Sequence, residues 1–265
     1  MKAEIAIIGG TGFESLIEHG EWLRIGTPYG IPPPILVGEI RGRSVAFLSR
    51  HGLRHEKPPH RVNYRANIYA LHTLGVKRIL ATNAVGAINP DFRPGDLVIP
   101  HDIIDFTKSR QSTFYEGEPV VHIDVSQPFC PEVRAILIEE ARKHPVKVHE
   151  RGVLVCTEGP RFETPAEIEM FRRLGCDIVG MTAAPEAFLA RELEICYATV
   201  CFVSNMAAGM QARLTVKEVF DVASRVSPVI QQILSDTVWR LPQERHCPCS
   251  RVLKDAGLGG ETPNR

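Results

Sequence analysis

Residues 5–12 read IAIIGGTG, an apolar run that breaks into three glycines and a threonine. Four consecutive apolar residues followed by small ones predict a buried strand that delivers a tight turn to its end. A dinucleotide fingerprint needs a third glycine, and after Gly10 and Gly12 that position holds Ser15, so the fingerprint fails. A P-loop needs a lysine just past the turn, and none follows until Lys57. What remains is a strand-end turn whose exposed N–H groups and Thr11 hydroxyl suit one phosphate-sized anion, or a plain structural turn. The stretch leaves both open.

Outward from it, alternating runs at 34–40 and 43–48 flank Arg41-Gly42 and predict a hairpin. Residues 63–75, NYRANIYALHTLG, have helical apolar spacing and stop at Gly75. RILATNAVG, GDLVIP, GVLVCTEG, CDIVGMT and CYATVCFVSN read as buried strands. Thr164 and Thr215 each precede a glutamate by three residues and mark helix starts. Strands alternating with helices predict an α/β fold, a single domain with a central mixed, partly parallel sheet flanked by helices, over residues 1–240. Residues 241–265 read as a C-terminal tail carrying a CxC motif.

The chain has 265 residues, 44% of them hydrophobic, enough for one substantial core. Lysine plus arginine and aspartate plus glutamate both number 31, so no overall field recruits nucleic acid or an acidic membrane. No apolar run approaches the ~20 residues of a membrane helix, and no secretory leader pattern opens the chain, which predicts a cytoplasmic protein with small-molecule partners. The seven cysteines include no CxxC pair, so no metal site is expected. Cys247-Pro-Cys249 is open between a local disulfide and two thiols.

Residues 49–61, SRHGLRHEKPPHR, interleave three arginines with three histidines. The arginines raise the local positive potential, which favours an oxyanion over a cation, against the alternative of a solvated basic loop. TNAVG at 82–86 is a second strand end with small residues, either a ligand cradle or a turn.

Ten segments stand in one order: IIGGTG, TPYG, SRHG, NYRAN, TNAVG, PGDLVIP, DFTKSRQSTFYEG, PFCPE, TEGPRFET and GMTAAPEAFLARE. Together they resemble the purine nucleoside phosphorylase and methylthioadenosine phosphorylase family over roughly residues 3 to 240. The resemblance implies that orthophosphate is a co-substrate, that a nucleoside is split to a free purine and a sugar 1-phosphate, and that no metal or organic cofactor is needed. It implies a phosphate site of Thr11, Arg50, His51, Asn83, Ala84 and Thr182, with Asn83 standing where some members have threonine. Met181 would lie under the ribose and Phe162 against the purine.

Adenine-preferring members have aspartates where this chain has Asn205 and Ala207, and tend to have serine where it has Glu163. An asparagine amide donates to a carbonyl O6 and serves N7, and a carboxylate accepts the N1–H that hypoxanthine and guanine carry and adenine lacks. The resemblance is therefore to the 6-oxopurine members, with inosine, guanosine or 5′-methylthioinosine as substrate. The alternative is a 5′-methylthioadenosine phosphorylase of methionine salvage. For Glu163 the competing reading is a charge at the start of the helix that follows. Arg50, His51 and Asn205 are the expected catalytic residues.

His55 resembles a residue near the ribose 5′ end, and His122 one reaching over from a neighbouring subunit, which implies a homotrimer or homohexamer. Val216, Val219 and Phe220 would line the 5′ pocket, or else bury themselves in the core of their own helix. Thermophilic relatives carry disulfides at positions that match Cys130 with Cys196 and Cys247 with Cys249, so both bridges are expected here. A nicotinamide-dependent oxidoreductase and a non-catalytic nucleoside-binding protein are the rival classes.

Overall fold

The computed structural model describes residues 2–10, 12–254 and 256–257; Thr11 lies outside the described residues. The strands in chain order are β1 (Ile5–Gly9), β2 (Glu18–Leu23), β3 (Ile35–Ile40), β4 (Arg43–Ser49), β5 (Arg78–Ala87), β6 (Leu97–Val98), β7 (Asp102–Phe106), β8 (Val148–His149), β9 (Val153–Thr157), β10 (Ile178–Gly180) and β11 (Cys196–Met206). The α-helices are α1 (Tyr64–Thr73), α2 (Pro131–Ala141), α3 (Pro165–Arg173), α4 (Ala183–Glu192) and α5 (Val216–Arg240). All the strands join one mixed sheet, ordered β2-β3-β4-β1-β5-β10-β9-β7, with β11 on β5, β6 on β11 and β8 on β6. The expected α/β architecture is borne out.

Period-two alternation splits the core between the two sheet faces. From β1, Ala6 and Ile8 pack with Ile68 and Leu71 of α1 and Leu189 and Ala190 of α4. Ile5 and Ile7 point the other way, into the cluster with Leu137 of α2 and Ile230, Ile233 and Leu234 of α5. The hairpin between β3 and β4 turns on Arg41 (φ 50°) and Gly42 (φ 74°), the two left-handed residues that a two-residue turn of this twist demands. The segment after α5 is less separate than the sequence suggests. Leu241, Cys247 and Cys249 are buried in the same cluster as α2 and α5.

The topology opens a cleft along β5. On one edge β5 pairs with β11 over its whole length, with one irregularity between Val203 and Asn205. On the other edge, Arg78 to Ala81 pair with β1, and only Gly86 and Ala87 pair with β10. Between these two partners, residues 82–85 face no strand on that side among the described residues, so the sheet splits where the turn after β1 and the end of β10 converge. Ligands of open α/β sheets collect at such splits because strand-end backbone groups there remain available.

Candidate active site

A cavity of about 490 Å³ occupies this split. Gly10 reaches it from the end of β1, Arg50 and His51 from the end of β4, Asn83 and Ala84 from β5, and Met181 and Thr182 from the end of β10. Phe162 and Glu163 enter from the loop before α3, Asn205 and Ala207 from the end of β11, and Val216, Val219 and Phe220 from the first turns of α5. His55 stands at the rim, exposed, with its ring stacked on that of His51 at 4.4 Å. Of the basic segment, Arg54, His60 and Arg61 are exposed and do not line the cavity. His122 is exposed elsewhere, where its backbone N–H donates to the carbonyl of Ala256.

Arg50 is 3% exposed and cannot be a solvated loop residue. Its Nε and Nη2 each donate to the Glu186 carboxylate at 2.7 Å, and Nη1 donates to the Thr82 carbonyl at 2.9 Å. Tyr197 adds a hydroxyl to Glu186 at 2.8 Å. Burial alone lowers the guanidinium pKa, but the adjoining carboxylate outweighs it and raises the value. A guanidinium carries five N–H donors, and among the described residues three are used, so two remain for a ligand. The group is a fixed, permanently charged fork.

His51 titrates the other way. Burial, then the charge of Arg50, lowers its pKa to about 4. Its Nδ1 lies 2.7 Å from the Lys57 carbonyl, which only accepts, so the proton sits on Nδ1 and the neutral ring presents an Nε2 lone pair. Asn83 is oriented by a chain of hydroxyls. Thr182 donates to its Oδ1 at 2.5 Å, and its Nδ2 donates to Thr199 at 2.7 Å, with Thr199 bonded in turn to the Ala81 carbonyl. At the glycine turn, the Gly12 N–H bonds the carboxylate of Glu14 at 2.7 Å. The turn holds an anionic group of its own chain.

At the other end, the break in register places both Ser204 and Asn205 at the cavity wall. The Ser204 hydroxyl donates to Asn205 Oδ1 at 2.6 Å, and Asn205 Nδ2 donates to the Met206 carbonyl at 2.9 Å, leaving one amide N–H unused among the described residues. Gly86 backs this amide: a Cβ there would lie 3.3 Å from Nδ2. Glu163 accepts the Thr157 hydroxyl on Oε1 at 2.6 Å, and burial raises its pKa. It does not cap α3. Glu167 does so, its carboxylate accepting the Thr164 N–H in a reciprocal capping box.

Val216 and Phe220 are 60% and 56% exposed, so the alternative in which α5 buries them in its own core is excluded. Cys156, beside the site, is pushed up to about 12 by burial and is a thiol at neutral pH. Two residues had no assigned role in the sequence. Glu186 fixes Arg50. Arg110, inside the SRQS motif, donates to the carbonyls of Thr157, Glu158 and Ala184 and braces the loop below the cavity. Both lie in segments that carry the resemblance, SRQS for Arg110 and GMTAAPEAFLARE for Glu186, but nothing along the chain links Glu186 to a partner 136 positions away.

The two bridges expected from the resemblance are not formed: all seven cysteines are free thiols. Cys130, Cys196, Cys247 and Cys249 are nonetheless gathered into one buried cluster, which spacing along the chain did not suggest.

Residues 4–238 match the family described as the Phosphorylase superfamily. The chain is 51% identical over 261 residues to the 6-oxopurine nucleoside phosphorylase of Pyrococcus furiosus, covering 95% of this chain and 98% of that one. It is 50% identical over 258 residues to the probable S-methyl-5′-thioinosine phosphorylase of Methanothermobacter thermautotrophicus, covering 96% and 90%. A crystal structure of methylthioadenosine phosphorylase from an antarctic soil metagenomic library superimposes with a TM-score of 0.93 at 38% identity, covering 97% of this chain and 93% of that one.

Proposed function

The chain belongs to the Phosphorylase superfamily, and on that premise we propose that it cleaves 6-oxopurine nucleosides with orthophosphate, releasing the free purine and ribose 1-phosphate or methylthioribose 1-phosphate for purine salvage. The observation that carries the 6-oxopurine reading is Glu163. Its Oε1 is held by Thr157, the cap of α3 is supplied by Thr164 and Glu167 without it, and it lines the same cavity as Arg50, His51 and Asn205. A carboxylate there accepts N1–H from hypoxanthine or guanine. Against adenine it would face the N1 lone pair, a buried mismatch of about 1–3 kcal/mol.

The chemistry follows from charge. Breaking the glycosidic bond leaves positive charge on the sugar and negative charge on the base. Phosphate beneath the sugar stabilises the first and then attacks the anomeric carbon, while a donor at the purine stabilises the second. The two free N–H groups of Arg50, with the amides of 83–84, suit the phosphate oxygens. The Nε2 lone pair of His51 suits the hydroxyl of HPO₄²⁻. The unused N–H of Asn205 suits N7 or O6. This scheme calls on no protein nucleophile, and orthophosphate is its only second reactant.

A 5′-methylthio group is a second acceptable substituent, favoured by the exposed apolar side chains of Val216 and Phe220 on the cavity wall. We assign Thr11 to the phosphate, Met181 and His55 to the ribose, and Phe162 with Ala207 to the purine. We assign His122 to a neighbouring subunit's site in a trimer or a dimer of trimers, within the cytoplasm. The test is to incubate inosine, guanosine, adenosine, methylthioinosine and methylthioadenosine with and without phosphate. Phosphate-dependent release from the three 6-oxopurine nucleosides supports the reading, and preferential release of adenine overturns it.

A further inference from the structure

Four cysteines from three separate segments meet behind the sheet. Cys130 is the N-cap of α2, Cys196 opens β11, and Cys247 and Cys249 flank Pro248 in the turn after α5. All four are buried, and their sulfurs all lie within 4.8 Å of one another. A tetrahedron of thiolates about 2.3 Å from a zinc-sized ion has edges of roughly 3.8 Å, which is the scale of this cluster. The Sγ atoms of Cys196 and Cys247 are 3.3 Å apart, a contact that runs across the two bridges expected from the resemblance, so the sulfurs form one group of four.

The surrounding charge has the matching sign. Arg191, 5% exposed, donates from Nη1 to Cys249 Sγ at 3.4 Å. Arg78, fully buried, stands in register with Cys196 on the neighbouring strand and donates from Nη2 to the Glu244 carbonyl. Among the described residues its Nε and Nη1 have no hydrogen-bond partner. Among the described residues neither guanidinium has a carboxylate at ion-pair distance. Two buried cations are costly beside neutral thiols and balanced beside a divalent cation ringed by four thiolates, which carries a net charge of two minus.

We propose that Cys130, Cys196, Cys247 and Cys249 bind one divalent, borderline-soft cation of the zinc class in a closed tetrathiolate site. Four metal–sulfur bonds form, four thiol protons pass to solvent, and no electron is transferred. With all four positions taken by sulfur the ion is structural. It ties the segment after α5 to the start of β11 and the cap of α2. Cys196 is nine residues along β11 from Asn205, about 30 Å, so the ion is remote from the cleft.

The experiment is elemental analysis of the full-length protein purified under reducing conditions, together with cobalt(II) titration of the metal-free form. The expected results are one zinc or iron ion per chain and, with cobalt, the thiolate charge-transfer and visible bands of a tetrahedral tetrathiolate. Arg191→Gln should weaken cobalt binding about 10–100-fold. Cys247→Ser with Cys249→Ser should abolish it, expose the tail to protease and leave phosphorolysis of inosine unchanged. Should that double variant not fold, the cobalt titration of the unaltered chain decides alone. Cys130–Cys196 and Cys247–Cys249 disulfides in the purified protein, or four titratable thiols with no cobalt spectrum, overturn the proposal. Neither result touches the nucleoside reading.

Discussion

Replacing Glu163 by alanine isolates the base-recognition argument. The substitution removes a carboxylate whose Oε1 is held by Thr157 and leaves α3 its cap, because Thr164 and Glu167 supply that between themselves. Folding should therefore be little affected. A hydrogen bond from N1–H to a charged acceptor contributes about 1.5–3 kcal/mol, so kcat/KM for inosine should fall roughly 10- to 150-fold. For adenosine the same change removes an opposing lone pair, and kcat/KM should hold or rise. Burial raises the Glu163 pKa, so acid should protonate it above the usual carboxylate range. The protonated group donates to adenine N1, and the adenosine-to-inosine ratio of the unaltered enzyme should climb as pH falls. The assay is initial-rate phosphorolysis of both nucleosides at saturating phosphate, from neutral to mildly acidic pH. A parallel loss on both substrates, or a ratio in Glu163→Ala that still climbs with acid, refutes the reasoning.

Glu186→Gln leaves the buried Arg50 without its counter-charge, which costs about 3–5 kcal/mol of stability and raises the KM for phosphate; urea unfolding and phosphate titration measure the two. His51, lowered to about 4 by burial and the charge of Arg50, stays neutral in the folded chain while the unfolded chain takes up a proton near pH 6.5. Its contribution of roughly 3 kcal/mol is complete above pH 6.5, declines as pH falls and is gone below about 4. Unfolding of His51→Asn should lack that slope. Thr164→Ala removes the α3 cap and costs about 1 kcal/mol in thermal unfolding without altering substrate preference. Phe220→Asp should lower kcat/KM for methylthioinosine more than for inosine, since a charge then faces the methylthio group; equal losses would detach Phe220 from the 5′ pocket.

The parts legible in the sequence were those that neighbouring residues determine. The Arg41-Gly42 turn, the Thr164 cap and the buried runs of β1, β5, β9 and β11 each carry their signal within about ten residues. The exposed strands β2 and β7 alternate too weakly to announce themselves. Arg50 and His51 stood out by type, yet the groups that set their charge did not. Glu186 reaches Arg50 across 136 positions, and the neutral state of His51 comes from burial and a backbone carbonyl. The break in register at Ser204 that turns Asn205 to the cavity is a property of pairing with β5 and is invisible in β11 alone. The cysteine cluster has the same origin. A rule based on CxxC spacing rejects a metal site, whereas the fold assembles one tetrad from positions 130, 196, 247 and 249.

The most direct check is to run the reaction on inosine in ¹⁸O-labelled orthophosphate and weigh the sugar product. Attack by phosphate seated between Arg50 and the 82–85 segment predicts ribose 1-phosphate that keeps all its labelled oxygens, one equivalent per hypoxanthine released. Free, unlabelled ribose formed at the same rate with or without phosphate contradicts the account.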